Sequence, residues 1–221
     1  MTIVLRPIFF ILLIFCIQSC TEIQKRASKP SKTETEIVIN KDSNFLLEKL
    51  DWQNDFGLTH NIEIDTIWKK PVKYYFDNPK CSPIAKEFYI GKFRPTDNDS
   101  TSELLSLVTT RNNELRPFYR WCLNKTIQVQ DGALAEYTGV PARQYIEKYP
   151  SEFFEYIDED KTDKRYNDWT SSISYNGFYD EDDHRKTKEI KYRMTKNIKK
   201  NFKSLDLNFE KRISKLVDDC F

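Results

Sequence analysis

Near the C-terminus, Ile190, Met194, Ile198, Phe202 and Leu205 recur at steps of four, four, four and three. Only a helix, turning once per 3.6 residues, gathers that spacing onto a single apolar face. Such a face must be covered by other elements, and most of the chain offers further helical spacings. Leu104, Leu105, Leu107 and Val108 form a stripe after Thr101 or Ser102, and Pro117 restarts a helix through Phe118, Trp121, Cys122 and Leu123. Tyr166, Trp169 and Ile173 continue the pattern up to Gly177, and a last helix from about Asp206 carries Phe209, Ile213, Leu216 and Val217.

Punctuation residues divide the remainder. Asp42 or Ser43 caps a helix through Phe45, Leu46 and Leu50 that ends at Gly57, and Ser82-Pro83 opens another that turns Ile84 and Phe88 inward before Gly91. Between Gly132 and Ile157, glycine and proline predict three short helices, at 133–137 closed by Gly139, at 141–149, and at 151–157 with Ser151 as cap. Residues 58–80 fit two patterns. Ile62, Ile64 and Thr66 alternate as in a strand, whereas Ile64, Ile67 and Trp68 share a helical face. The expected fold is mainly α, an irregular helical bundle or a set of imperfect helical pairs, with room for one short strand pair near residues 58–80.

Scarce residue types exclude several chemistries. The chain has 221 residues but five glycines, never closer than seven apart, so neither a dinucleotide-binding G-x-G-x-x-G nor a phosphate-cradling P-loop can be written. Its two histidines, His60 and His184, cannot make a zinc helix, and no cysteines stand at C-x-x-C spacing. No cofactor motif and no metal-ligand set is present. Lys and Arg number 35 against 34 Asp and Glu, a balance that argues against nucleic acid as a partner.

The N-terminus reads as a leader. Arg6 precedes ten apolar residues, Ile8 to Ile17, and then Gln18, Ser19 and Cys20. Ten helical residues rise about 15 Å, half of a bilayer core of about 30 Å, which favours export over a spanning anchor. The segment Ile17-Gln18-Ser19-Cys20 resembles a bacterial lipoprotein signal of the loose Bacteroidota type, although Gln18 replaces the usual small residue. That resemblance implies a signal peptide at 1–19, acylation of Cys20, a polar tether at 20–41 and one helical domain at 42–221. It also implies a lipid-anchored place in the bacterial cell envelope, at the outer membrane rather than the inner, periplasmic or surface-facing. Membrane contact would run through the N-terminal lipid, and an envelope protein or glycan would be the partner. In an oxidising compartment, Cys81, Cys122 and Cys220 allow one disulfide or three buried thiols.

Two charge clusters admit functional readings. The last long helix carries Lys188, Lys191, Lys196, Lys199 and Lys203 among nine basic residues against the single acid Glu189. This is either a patch for an anion or acidic partner, or a solvated face neutralised by the acids between Glu152 and Asp163. The run Asp180-Glu181-Asp182-Asp183-His184 invites a hard cation, or serves the dipole of the helix after it. The leading function on this reading is a tethered, non-catalytic binding domain of the envelope. The alternatives are a carboxylate-dependent glycan hydrolase, with Glu136, Glu147 and Glu155 beside aromatics, and a membrane-held inhibitor of the immunity type.

Overall fold

A computed structural model describes residues 60–181, 187–202 and 206–221. Cys20, the tether, the helix expected at 42–56 and Lys203 lie outside those residues. The described chain opens with a two-stranded antiparallel hairpin, β1 (Thr66–Ile67) and β2 (Lys70–Pro71). Helices α1 (Val72–Asp77), α2 (Pro83–Tyr89) and α3 (Asp99–Ser106) follow, the last running into a 3₁₀ turn at Leu107–Thr109. Then come α4 (Arg116–Val129), α5 (Gly132–Lys148), α6 (Pro150–Asp158), α7 (Lys164–Asn176), α8 (Thr187–Asn201) and α9 (Leu207–Asp219). The fold is mainly helical with one short strand pair, as the periodicities imply.

Helix α4 lies at the centre. Phe118, Cys122 and Leu123 on it are fully buried, in one continuous core with Leu104, Tyr145, Phe153, Trp169, Met194 and Leu216 from six further helices. Polar groups inside that core find partners, as buried polar atoms must: the Trp169 indole N–H donates to Asn124 Oδ1 at 2.9 Å. Among the described residues, three helix starts are capped by side chains that accept otherwise orphaned amides. Asn98 accepts from Thr101 N at 2.9 Å, Asp131 from Leu134 N at 3.0 Å and Asp206 from Phe209 N at 2.8 Å. Each such cap contributes about 1 kcal/mol.

Three local expectations need correction. The stretch from Gly132 to Lys148 is one helix, uninterrupted at Gly139 and Pro141. Gly139 is there for close approach, since a Cβ would stand 2.6 Å from Gly177 N and from Ser172 O on α7. Beside it, the hydroxyls of Thr138 and Ser172 share a hydrogen bond at 2.7 Å. Pro141 removes one backbone donor, and the packing of α5 against α7 holds the helix together across the gap. Helix α6 starts at Pro150 rather than being capped by Ser151, and the start of α8 expected near Asp182 lies outside the described residues. Helix α1 went unread, because Val72 and Tyr75 are its only buried residues.

The ambiguous segment resolves into the hairpin. Ile64 is 75% exposed, so neither reading of its period holds, and Ile67 is the residue that enters the core. The connecting residues, Trp68 (φ 52°) and Lys69 (φ 64°), are both left-handed, the geometry that matches the twist of a two-residue hairpin. Cys81, Cys122 and Cys220 are free and buried thiols, with no disulfide among them. Burial pushes the Cys220 thiol up to about 12.

Candidate functional site: a cleft over a buried guanidinium

Arg116 and Arg120 stand one turn apart on α4, and both point into the protein where α5 and α6 meet. Their surroundings differ. Arg116 grips the Glu152 carboxylate with two donors, Nε at 2.8 Å and Nη2, and donates from Nη1 to the Thr110 carbonyl at 2.8 Å. Its guanidinium also lies 3.8 Å from the Tyr149 ring. That charge is matched, and each of its three nitrogens donates.

Arg120 is only 2% exposed and has no carboxylate partner among the described residues. Its Nη1 donates to Tyr145 Oη at 3.1 Å and to the Glu152 carbonyl at 3.3 Å, while Nε is buried without an acceptor. Two rings flank it, Trp68 at 4.2 Å and Tyr156 at 4.0 Å. Cation–π contacts contribute roughly 0.5 to 2 kcal/mol each, whereas burying an ion costs several kcal/mol. The rings therefore offset part of the cost of this charge and leave the rest.

A cleft of about 410 Å³ opens against Arg120, walled by Trp68, Trp121, Lys125, Tyr156 and Arg165. Arg165, from α7, stacks 4.0 Å from the Tyr156 ring and donates to the Tyr156 carbonyl. Burial, and then the positive charge of Arg165, hold the Lys125 ammonium below the ordinary lysine value. The carboxylates at the rim are already engaged. Asp160 accepts from the Thr162 hydroxyl at 2.6 Å, from Thr162 N at 2.9 Å and from Arg165 N at 2.7 Å. Those bonds hold its carboxyl down to about 2. Glu159 pairs with Lys69 at 3.7 Å. Four cations, Arg120, Lys125, Lys164 and Arg165, thus line the cleft against two committed acids.

The residues expected to form a patch are only partly assembled. Lys188 and Lys196 are exposed, with no acid paired to them among the described residues, but Lys191 pairs with Asp218 and Lys199 with Glu210, each at 3.1 Å. The neutralising acids come from α9. Those between Glu152 and Asp163 serve other partners, with Glu152 held by Arg116 and Asp158 by Arg212. Asp180 and Glu181 are engaged by arginines. Asp180 binds Arg143 Nη2 through both oxygens, at 2.6 and 2.8 Å, and Glu181 bridges Arg143 at 2.9 Å and Arg193. Asp182, Asp183 and His184 lie outside the described residues. Glu147 belongs to the same network, its carboxyl pushed up by burial against the opposing pull of Arg143 and of the Asn197 amide.

Arg120, Lys125, Arg165 and Trp68 escaped the sequence reading. One signal was available: arginines at positions 116 and 120 share a helix face with apolar neighbours, where a solvated charge has no place.

The chain is similar to the DUP240 protein DFP1 of Saccharomyces cerevisiae, 27% identical over 89 residues that make up 34% of this chain and 37% of that protein. It is similar, at the same identity and share, to the DUP240 protein DFP1 of the S288c strain, of which the match covers 49%. The chain thus spans less than half the length of each relative. No family model matches the chain, and no solved structure does. Both relatives are eukaryotic, which overturns the expected bacterial envelope lipoprotein, its lipid-anchored outer-membrane address and the functions framed within that compartment. The expectation rested on twenty N-terminal residues, whose short apolar run before a cysteine carries little information about source. No helix among the described residues is long and apolar enough to cross a membrane.

Proposed function

We propose that this domain binds a phosphate-type oxyanion in the cleft over Arg120. The observation that carries the reading is the unmatched charge of Arg120, which lines the cleft while Arg116, one turn away, is fully paired. A bound oxyanion supplies the missing counter-charge, and a guanidinium offers phosphate a planar, multi-donor surface. Lys125 and Arg165 supply further positive charge from two other directions. Because Lys125 is partly desolvated, its attraction for an anion is screened less than that of a surface lysine.

The left-handed backbone at Trp68 supports the same site. A residue in that conformation costs of order 1 to 3 kcal/mol and persists where its surroundings over-determine it, which is common at ligand clamps. Here the conformation sets the Trp68 indole against Arg120 and forms one wall of the cleft.

Titration calorimetry with inorganic phosphate and with sulfate tests this reading. Saturable one-to-one binding is expected, with phosphate at about 100 times its Kd adding about 2.7 kcal/mol of stability. Arg120→Met and Lys125→Met are each expected to weaken binding at least ten-fold. Absence of binding to the wild-type chain, or undiminished binding by a folded Lys125→Met chain, would falsify it.

A further inference from the structure

The Arg120 cleft does not end at Lys125. A second depression of about 370 Å³ adjoins it and shares four of its walls, Thr66, Ile67, Trp121 and Lys125, so that Lys125 and the Trp121 indole stand between the two. His60 and Tyr89 close the far side, and Asp65 lies among them. The two halves differ in chemistry. The first is cationic, whereas the second holds a carboxylate and the side of an aromatic ring.

Asp65 is positioned with one oxygen in hand. Its Oδ2 takes both local donors, the Asn61 amide and the Tyr89 hydroxyl, the latter at 2.7 Å, while the Asp65 carbonyl accepts from Val72 N at 2.9 Å. These bonds pin the carboxylate to the hairpin and leave Oδ1 with its lone pairs uncommitted among the described residues. The Trp121 ring is braced from within the core, parallel to Phe118 at 6.1 Å and in contact with Tyr89 at 5.0 Å, so it is a fixed wall. A braced indole and a free carboxylate oxygen on one side of a lysine suit a body that presents C–H groups to a ring and hydroxyls to an acceptor.

Building on the proposed anion site, we infer that the ligand is a hydroxyl-rich phosphate monoester of the sugar-phosphate class. Its phosphoryl group occupies the Arg120 cleft, Lys125 bridges the ester region, and the sugar body lies along Trp121 with a hydroxyl donating to Asp65 Oδ1. A bare aromatic phosphate meets the ring but leaves the carboxylate without a donor. Inorganic phosphate fills only the first half.

The experiment compares inorganic phosphate, glucose 6-phosphate and phenyl phosphate by titration calorimetry on the full chain and on Asp65→Asn. In the wild-type chain, glucose 6-phosphate is expected to bind at least ten-fold tighter than inorganic phosphate and tighter than phenyl phosphate. In Asp65→Asn, the preference of glucose 6-phosphate over inorganic phosphate is expected to fall to about two-fold or less, a ratio measured on one and the same protein. The wild-type comparison requires no substitution and stands if the variant misfolds. If inorganic phosphate binds but glucose 6-phosphate gains nothing, or phenyl phosphate binds tighter, the sugar-phosphate assignment is wrong while the anion site survives. If no phosphate compound binds, both fall together.

Discussion

The Trp68 indole lies 4.2 Å from the Arg120 guanidinium, and Trp68 reaches it from a left-handed backbone. A hairpin turn far from α4 in sequence thereby covers one face of a buried charge that no carboxylate among the described residues neutralises. Tyr156 covers it at 4.0 Å, and the cleft lies between what these contacts supply and what the charge requires.

That turn carries strain at two consecutive residues, and the second, Lys69, does not itself line the cleft and meets its wall only through the Trp68 ring, at 5.4 Å, and Glu159. Lys69 has φ 64°, and its ion pair with Glu159 is a solvent-exposed contact at 3.7 Å. Exposed pairs contribute about 0 to 1 kcal/mol, whereas a left-handed conformation costs a non-glycine residue roughly 1 to 2 kcal/mol. Lys69→Gly is therefore expected to raise stability by about 0.5 to 1 kcal/mol, after allowing for the greater freedom of glycine in the unfolded chain. Urea denaturation measures it, and a net loss would show that the turn is unstrained.

Glycines 139 and 132, both on α5, are expected to respond oppositely to alanine. At Gly139 a Cβ would meet the backbone of α7 at 2.6 Å, and backbone cannot turn aside as a side chain does. Overpacking of this kind costs about 1 to 3 kcal/mol. At Gly132 nothing stands within 4 Å, and alanine is favoured there by roughly 0.5 to 1 kcal/mol through helix propensity. Paired thermal melts of the two variants decide the point, and equal effects would contradict the close approach of α5 and α7.

Glu152 holds Arg116 from the side on which Arg120 lies. Removing it as Glu152→Ala leaves two buried guanidiniums one turn apart with no carboxylate between them. Breaking a buried pair costs about 3 to 5 kcal/mol, and the partial exposure of Glu152 places the expected loss near the lower figure. The excess positive charge should also make the variant's stability depend more strongly on sulfate than that of the wild-type chain. Melts with and without 50 mM sulfate, at an ionic strength matched with chloride, would reveal it; identical dependence counts against a cationic cleft.

Lys125 gives the site a pH dependence of definite sign. Its folded-state pKa lies below the unfolded value of about 10.4. Between the two, the unfolded chain holds a proton that the folded chain lacks, so stability rises with pH across that interval. Anion binding works against this, because a bound oxyanion favours the ammonium form. Sulfate does not titrate near neutrality, and its affinity is expected to decline as pH climbs through the lowered Lys125 pKa, before an ordinary lysine would release its proton. In Lys125→Met the affinity is expected to stay level over the same range. Calorimetry between pH 7 and 10 distinguishes the two, and a flat profile in the wild-type chain would remove Lys125 from the site.

The helices were legible because their signals are local. The spacing of Ile190, Met194 and Ile198 made a stripe whatever lay opposite, and Asp206 announced a helix start through a hydrogen bond that spans three residues. Gly139 and Pro141 misled because their meaning was not local. Glycine marks a helix end or a helix contact, and only the neighbouring backbone of α7 tells which. The segment at 58–80 stayed ambiguous because a six-residue hairpin is too short to show a period, and its turn is fixed by contacts with Arg120 and Tyr156 rather than by glycine.

The sequence by itself determined a mainly helical core, the helix start at Asp206 and the lack of P-loop and C-x-x-C spacings. Tertiary structure alone decided which charges are matched. Arg116 and Arg120 are the same residue type, one turn apart on one helix, and what separates them is that Glu152 from α6 faces the first while Trp68 and Tyr156 face the second. Charge compensation depends on distance through space, and positions 68, 120 and 156 meet only once the chain has folded.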